Sequence, residues 1–564
     1  MNFKKALITA FAFTLVGSLI GCGNDDDKNT EASAAPTAAA STAASPSAAP
    51  AKPQEIRINF TADPPALDVS KATANASFTI LSHVHEGLYR LDKDLKATPG
   101  LAKDKPVISA DGLTYTITLK DNVTWADGTP VKAQDFVYSY LRTLNPETKA
   151  QYSFFLEYIK GGKELHSAAD PAAFEAAKAN FGAVAKDDKT LEITLVQPKG
   201  FFTELLAFAT FFPQNETFVK AQGEKNGADA ANVLGAGPFK LQSWDHEQKL
   251  VMVKNDKYWD AANVKLEKVT LNIVKDAQTG VNLFESNEAD LTDLTGDTVA
   301  LYTGKPEYTI KKELTNAYIQ FQTKKFPAFA NTKIRQALGM AVDRKPLVET
   351  ILKNGSFPST GFVPGGTLDG NGGEFRKTAG DTQPAFDVAK AKTLLAEGLK
   401  ELGLDKLPKF SLMADDTANG KKTIEYVLAQ WKQNLGIEVE SQPVPHELRV
   451  DNQHKKNFDA LLALWGADYN DPMTFLDMWI TDGEFNDASW SNADYDKLIN
   501  EANLETDRAK RAQKLVEAEK ILMNEYPVST LYFRNKIFAK RANVDGLLLP
   551  PYGQEWELKW ASIK

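Results

Sequence analysis

Asp468 is the residue whose setting most clearly points to chemistry. It follows Ala460-Leu461-Leu462-Ala463-Leu464-Trp465, a short continuous apolar run of the kind expected of a strand buried on both faces. It stands between Trp465 and Tyr469 in the stretch Gly466-Ala467-Asp468-Tyr469-Asn470-Asp471-Pro472. Ligands of open α/β sheets bind beyond the carboxyl ends of the strands. A carboxylate placed there, in an aromatic cleft of low dielectric, attracts a cation strongly and is costly without one. An ammonium group would suit it. A turn or helix-capping aspartate before Pro472 is the competing reading, because Asp and Asn are favoured in both. Spacing alone leaves the two open.

Other constellations offer less. Asp468 and Asp471 would be the acid and base of a hydrolase, but nothing in the sequence positions a scissile bond between them. No GxSxG, HExxH or glycine-rich phosphate loop is present. Of six histidines only His83-Val84-His85 is close-set, and it lacks the carboxylate or cysteine support of a metal site. Cys22 is the one cysteine, which rules out internal disulfides, thiolate zinc sites and a redox CxxC.

The elements that must position Asp468 read as mixed α and β. Ile56, Ile58 and Phe60 alternate as in a half-buried strand, and so do Leu113, Tyr115, Ile117 and Leu119 after Asp111-Gly112, and Leu191, Ile193 and Leu195. Phe136, Val137, Tyr140, Leu141 and Leu144 share a helical face that stops at Asn145-Pro146. Asp387 is placed to cap a helix carrying Val388, Ala391, Leu395 and Leu399 inward and ending near Gly403. A strand near Phe410-Met413 follows. Ile424, Val427, Leu428, Trp431 and Leu435 mark the next helix, stopped by Gly436, and Ile437 and Val439 then open another strand. Alternation of this kind predicts a partly parallel sheet with helices packed on it.

The chain is 564 residues long, more than one hydrophobic core usually serves, so at least two domains or lobes are expected. Its net charge of −9 argues against a general nucleic-acid binder and gives no pull toward anionic lipid. Lys4 and Lys5 precede an apolar run, Ala6 to Ile20, that suits a signal peptide and is too short to span a membrane. Leu19-Ile20-Gly21-Cys22 resembles the lipobox of bacterial lipoproteins, in which the cysteine thiol carries a diacylglyceryl group. Residues 23 to 53, with Asp25-Asp26-Asp27 and then Ala, Ser, Thr and Pro, read as a disordered tether.

Trp465-Gly-Ala-Asp468-Tyr469-Asn-Asp-Pro472 is similar to the (W)xADYxxP stretch of the oligopeptide-binding receptors of ABC importers, solute-binding protein family 5. Further segments match in the family's order: His85-Glu86-Gly87-Leu88, Trp125-Ala-Asp127-Gly128 with Asp135-Phe136-Val-Tyr138, and Gly235-Ala-Gly237-Pro238-Phe239. Tyr258-Trp259, Ile334-Arg335 through Asp343-Arg344, and Tyr495-Asp496-Lys-Leu498-Ile499 complete the set.

The resemblance implies an α/β bilobal clamshell of the periplasmic-binding-protein type (class II) with an extra third domain. Residues 1–21 would be the signal peptide and 22–53 the acylated Cys22 and linker. Lobe I would comprise 54–85, 209–314 and 533–564; domain II would be 86–208 and lobe III 315–532. An extended oligopeptide would lie between the lobes, held through its backbone as an added strand, with hydrated pockets for its side chains. Asp468 would pair with its α-ammonium. Trp465, Gly466 and Ala467 would supply backbone, and Tyr152 and Tyr469 would line the cleft. Leu462, Gly420 and Gln453 stand where enteric relatives carry groups that meet the peptide carboxylate, so those contacts do not transfer. No catalysis, cofactor or metal is implied. The partners implied are oligopeptides and the permease subunits of an ABC transporter, with membrane contact through the N-terminal lipid only, no nucleic acid, and a monomeric state. The location implied is the extracytoplasmic face of the cell membrane, favouring the outer surface of a Gram-positive cell, or the periplasm where there are two membranes. A nickel complex or a cell-wall peptide is the alternative ligand, and a peptide hydrolase the alternative of another class.

Overall fold

The computed structural model describes residues 53–94 and 96–564. Cys22, the signal segment and most of the tether lie outside them. Among the described residues no helix is long and apolar enough to cross a membrane.

An 11-stranded mixed sheet runs through the body. Its order, from one edge, is Glu440–Val444, Ser411–Asp415, Ala460–Gly466, Tyr308–Phe321, Val528–Lys540, Leu291–Leu294, Glu55–Phe60, Lys268–Ile273, Lys249–Lys254 and Phe239–Asp245; the short strand Phe357–Pro358 also pairs with Val528–Lys540. Glu55–Phe60 is parallel to both neighbours, and Ser411–Asp415 likewise. The predicted partly parallel sheet is therefore present, and the rest of it is antiparallel.

The two longest strands, Tyr308–Phe321 and Val528–Lys540, belong to both halves of the sheet. Tyr308 to Lys312 pair with Asn535 to Ala539, beside Leu291–Leu294. The register then shifts between Lys312 and Asn316, and Asn316 to Gln320 pair with Val528 to Phe533, beside Ala460–Gly466. A pair of strands interrupted by an irregularity is the kind of connection on which two halves can pivot, because the ladder is locally broken there.

A second sheet of four antiparallel strands, Val107–Ile108, Thr114–Thr118, Thr190–Thr194 and Ala183–Ala185, stands apart. Its period-2 pattern works as the alternation predicts: Tyr115 opposes Ile193 and Ile117 opposes Leu191, all four buried. The helix Ala133–Leu144 buries Phe136, Val137, Tyr140 and Leu144, as its spacing requires.

Two of the predicted helix caps are present. Asp387 accepts a hydrogen bond from the Lys390 amide at 2.9 Å and starts Val388–Glu401. Gly436, with φ 71°, ends Ala418–Leu435. The expected strand at Ile437 and Val439 begins later, at Glu440. The Ile437 amide is engaged in closing the helix end onto the Trp431 carbonyl at 3.3 Å, so it is unavailable to the sheet.

Several motif residues turn out to hold the fold together. The Tyr258 hydroxyl donates to Glu86 at 2.6 Å, and Arg90 bridges Glu86 and Glu557. Arg335 is 2% exposed and donates to the carbonyls of Phe329, Ala330, Glu525 and Tyr526. Gly237 passes so close to the helix end at Val84 and His85 that a β-carbon there would lie 2.5 Å from the His85 carbonyl.

Candidate functional site

The strand Ala460–Gly466 buries Ala460 to Ala463, but Leu464 and Trp465 are half-buried and Gly466 is exposed. The apolar run is therefore sunk in the core at its start and surfaces at its end, just before Asp468. On one side the strand pairs with Tyr308–Phe321 as far as Gly466, and the Ala467 amide donates to the Leu314 carbonyl at 2.8 Å. Antiparallel alternation then turns the amides and carbonyls of Leu464 and Gly466 to the opposite edge. There the neighbouring strand pairs only Ala460 and Leu461. The carboxyl end of this strand thus offers an unpaired backbone edge next to Asp468, while Ala467 has its amide engaged within the sheet.

Asp468 is half-buried. Its amide donates to the Thr474 hydroxyl at 3.2 Å. Burial, with the charge of Asp477 adding to it, pushes the Asp468 carboxyl up to about 8, while hydrogen bonds from Thr474 and Tyr152 act the other way. No cation among the described residues forms an ion pair with it. Asp471, by contrast, is fully committed: Arg511 grips it with two bonds of 2.7 and 2.8 Å. Asp468 and Asp471 are therefore not a matched acid–base pair: Asp471 is locked in a salt bridge, while Asp468 is hydrogen-bonded by Thr474 and Tyr152 and has no cation partner among the described residues.

Around Asp468 the wall is aromatic. Tyr152, on the helical segment Gln151–Tyr158, packs edge-on against Phe78 at 5.4 Å and lies 5.5 Å from Phe208. Burial raises its phenol well above the ordinary range, and the Asp468 charge adds to the effect. Trp465 packs against Phe485 at 5.0 Å and donates its indole N–H to the Thr474 carbonyl at 2.8 Å. Tyr469 is buried and stacks on Phe201 at 4.3 Å. A cavity of about 220 Å³ opens beside Asp468, lined also by Phe78, Phe208, Phe212, Glu204 and Tyr552.

Asp468, Trp465, Gly466 and Tyr152 are thus brought to one place. Thr474, Phe485, Phe78, Phe208, Glu204 and Tyr552 join them without a local signal in the sequence. Thr474, two residues past Pro472, was the nearest to being legible.

The histidine pair is committed to the core. His83 donates Nδ1–H to the Thr79 carbonyl at 2.7 Å and accepts the Leu558 amide at Nε2 at 3.0 Å. His85 is buried, which pushes it down to about 4. Among the described residues no group of three or more His, Cys, Asp or Glu side chains is arranged to hold a metal ion.

Residues 96–487 match the model of the bacterial extracellular solute-binding proteins, family 5. The chain belongs to this family. It has the two-lobed α/β fold of those proteins, and like them it binds without catalysing a reaction. The solute-binding protein is 33% identical over 504 residues to the dipeptide-binding protein DppE of Bacillus subtilis, covering 89% of this chain and 91% of the relative. It is 33% identical over 511 residues to the oligopeptide-binding protein OppA of the same organism, covering 88% and 91%. Among solved structures, OppA of Listeria monocytogenes bound to peptide superposes with a TM-score of 0.82 at 36% identity, covering 91% of this chain and 99% of that one.

Proposed function

We propose that this protein is the extracytoplasmic receptor of a peptide ABC importer. It captures oligopeptides in the cleft at Asp468 and delivers them to the permease. The observation that carries the reading is Asp468 itself: a carboxyl group with no cation partner among the described residues, in an aromatic wall, at the end of a strand whose backbone edge none of the described strands pairs. That arrangement suits a guest with one ammonium end and a repeating amide backbone. The ammonium meets the carboxylate, and the amides extend the sheet at Leu464 and Gly466 whatever the guest's side chains are. The names of the relatives, which are peptide-binding proteins, support the same class of ligand. On this reading Cys22 is acylated and holds the monomeric receptor at the outer face of the cell membrane, with residues 23–53 as its leash.

Calorimetric titration with trialanine and with N-acetyl-trialanine tests the reading. The free amine is expected to bind and the acetylated peptide to lose most of its affinity. Equal binding of both would remove Asp468 from its role. Growth of the source cells with labelled palmitate tests the anchor: label is expected on the wild-type protein and absent from Cys22→Ala.

A further inference from the structure

The cavity beside Asp468 is lined by four further carboxylates, Glu86, Asp92, Glu204 and Glu557; Glu86 and Glu557 hold Arg90, and Asp92 accepts the amides of Asp94 and Lys96. Glu204, in the short helix Phe202–Leu205, lines it, and among the described residues no cation or hydrogen-bond donor meets its side chain. The two cations on the same wall are engaged elsewhere. Arg90 is held by Glu86 and Glu557, and Lys93 by Asp94 at 2.9 Å. Tyr552 lines the cavity as well. It is 7% exposed, and among the described residues its hydroxyl has no hydrogen-bond partner. A buried hydroxyl left unpaired is costly, so its place in the wall calls for a polar group from outside the chain. Glu204 is near enough to Tyr552 that its charge, after burial, helps to raise the phenol. The rest of the wall sets the apolar Phe78, Phe208, Phe212 and Leu549 beside the polar Ser82, Tyr89, Asp92 and Gln554.

Aromatic rings leading to a carboxylate and an unpaired oxygen are the complement of a long cationic side chain, whose aliphatic stem would lie on the rings. At about 220 Å³ the space is smaller than the roughly 300–1,000 Å³ of pockets that enclose a whole small-molecule ligand, and it suits one long side chain.

We propose that this cavity is a side-chain subsite for a lysine or arginine of the bound peptide, with Glu204 as counter-charge and the Tyr552 oxygen accepting an N–H. The inference rests on the peptide reading above. A neutral side chain of equal length would fill the space but leave Glu204 and Tyr552 unpaired, and an acidic one would be repelled.

The test is a titration of the purified receptor with six tripeptides: alanine tripeptides carrying lysine at the first, second or third position, and the same three with norleucine. One lysine peptide is expected to bind at least about tenfold more tightly than its norleucine partner, the scale of one charged hydrogen-bonded contact. Glu204→Gln is expected to abolish that preference, bringing the lysine and norleucine peptides to within about twofold of each other. Tyr552→Phe is expected to reduce the preference in part. Equal affinity of each lysine and norleucine pair for the wild-type receptor would overturn the subsite and leave the peptide reading standing. A lysine preference unchanged in Glu204→Gln would overturn it too. Binding of none of the six would take down the peptide reading, and the subsite with it.

Discussion

Tyr152 and Asp468 face one another across the site: a phenol hydroxyl from the helical segment Gln151–Tyr158 turned to a carboxylate that follows the strand Ala460–Gly466. The contact joins two distant parts of the chain at the point where an incoming ammonium would be received. Tyr152 supplies a hydrogen bond but no charge, so nothing in this contact offsets the effect of burial, which favours the protonated carboxyl until a cation arrives.

Asp468→Ala is expected to weaken peptide binding by about 2 to 5 kcal/mol, the cost of truncating one partner of a buried charge pair. Tyr152→Phe should cost about 1 kcal/mol, as one hydrogen bond to a partly solvated group. Calorimetry with a free-amine peptide measures both. Binding by Asp468→Ala at wild-type strength would show that the amino end lies elsewhere.

Binding should depend on pH with an optimum close to 8. The Asp468 carboxyl lies at about 8 without ligand, so below that pH it holds a proton that the ammonium must displace. Affinity then falls by up to about tenfold for each unit below the optimum. Above it the peptide's own amine, with a pKa of about 7.7–8.0, loses its charge, and affinity falls again. Asp477 and Lys199 titrate nearby, at about 7 and about 8, so the acid limb is assigned by Asp468→Asn, which should flatten it. Titrations in two buffers of different ionisation heat should show a proton released on binding to the wild type and none to Asp468→Asn.

The same shift predicts a stability effect in the empty protein. A carboxyl raised in the folded state holds a proton that the unfolded chain has already lost between its ordinary value of 3.8 and about 8, so stability falls as pH rises through that window. Asp468→Asn removes this loss. Its melting temperature is expected to exceed the wild type's at pH 9 and to match it at pH 4, read by calorimetric scanning without peptide.

At the strand irregularity, Glu313 is 6% exposed and meets both Arg534 and Lys311; Glu555 in turn meets Lys311 and Lys536. Glu313→Gln leaves the buried cations short of one counter-charge and is expected to cost about 3–5 kcal/mol of stability. The cations beside them hold Glu313 and Glu555 below the ordinary 4.5 against the effect of burial. Their contribution is therefore complete above 4.5 and is lost as pH falls below it. Urea unfolding of wild type and variant at pH 7 measures the first effect, and the gap should narrow at pH 3. An equal gap at both pH values would contradict this account.

The interruption between Lys312 and Asn316 also predicts a pivot. The radius of gyration from small-angle scattering should decrease when the receptor is saturated with peptide, as the two halves close around it. No change on saturation would mean that the crossing strands are rigid.

Much of this molecule is legible residue by residue. The alternation at Ile56, Ile58 and Phe60, the caps at Asp387 and Gly436, and the helical face from Phe136 to Leu144 are short-range signals, because they arise from backbone geometry and from which side of one element meets the core. The end of the apolar strand was legible for the same reason, but spacing left Asp468 open between an ammonium receptor and a turn or capping residue; the ordered motifs pointed to the family. The tertiary structure alone decided that Ile437 closes a helix instead of opening a strand, and that Asp471 is paired with Arg511 while Asp468 has no cation partner among the described residues. It also decided that Phe78, Phe208, Glu204 and Tyr552 share one cavity with Asp468. Those facts depend on the order in which distant strands pair, and pairing order is set by contacts between segments hundreds of residues apart, which no local pattern encodes.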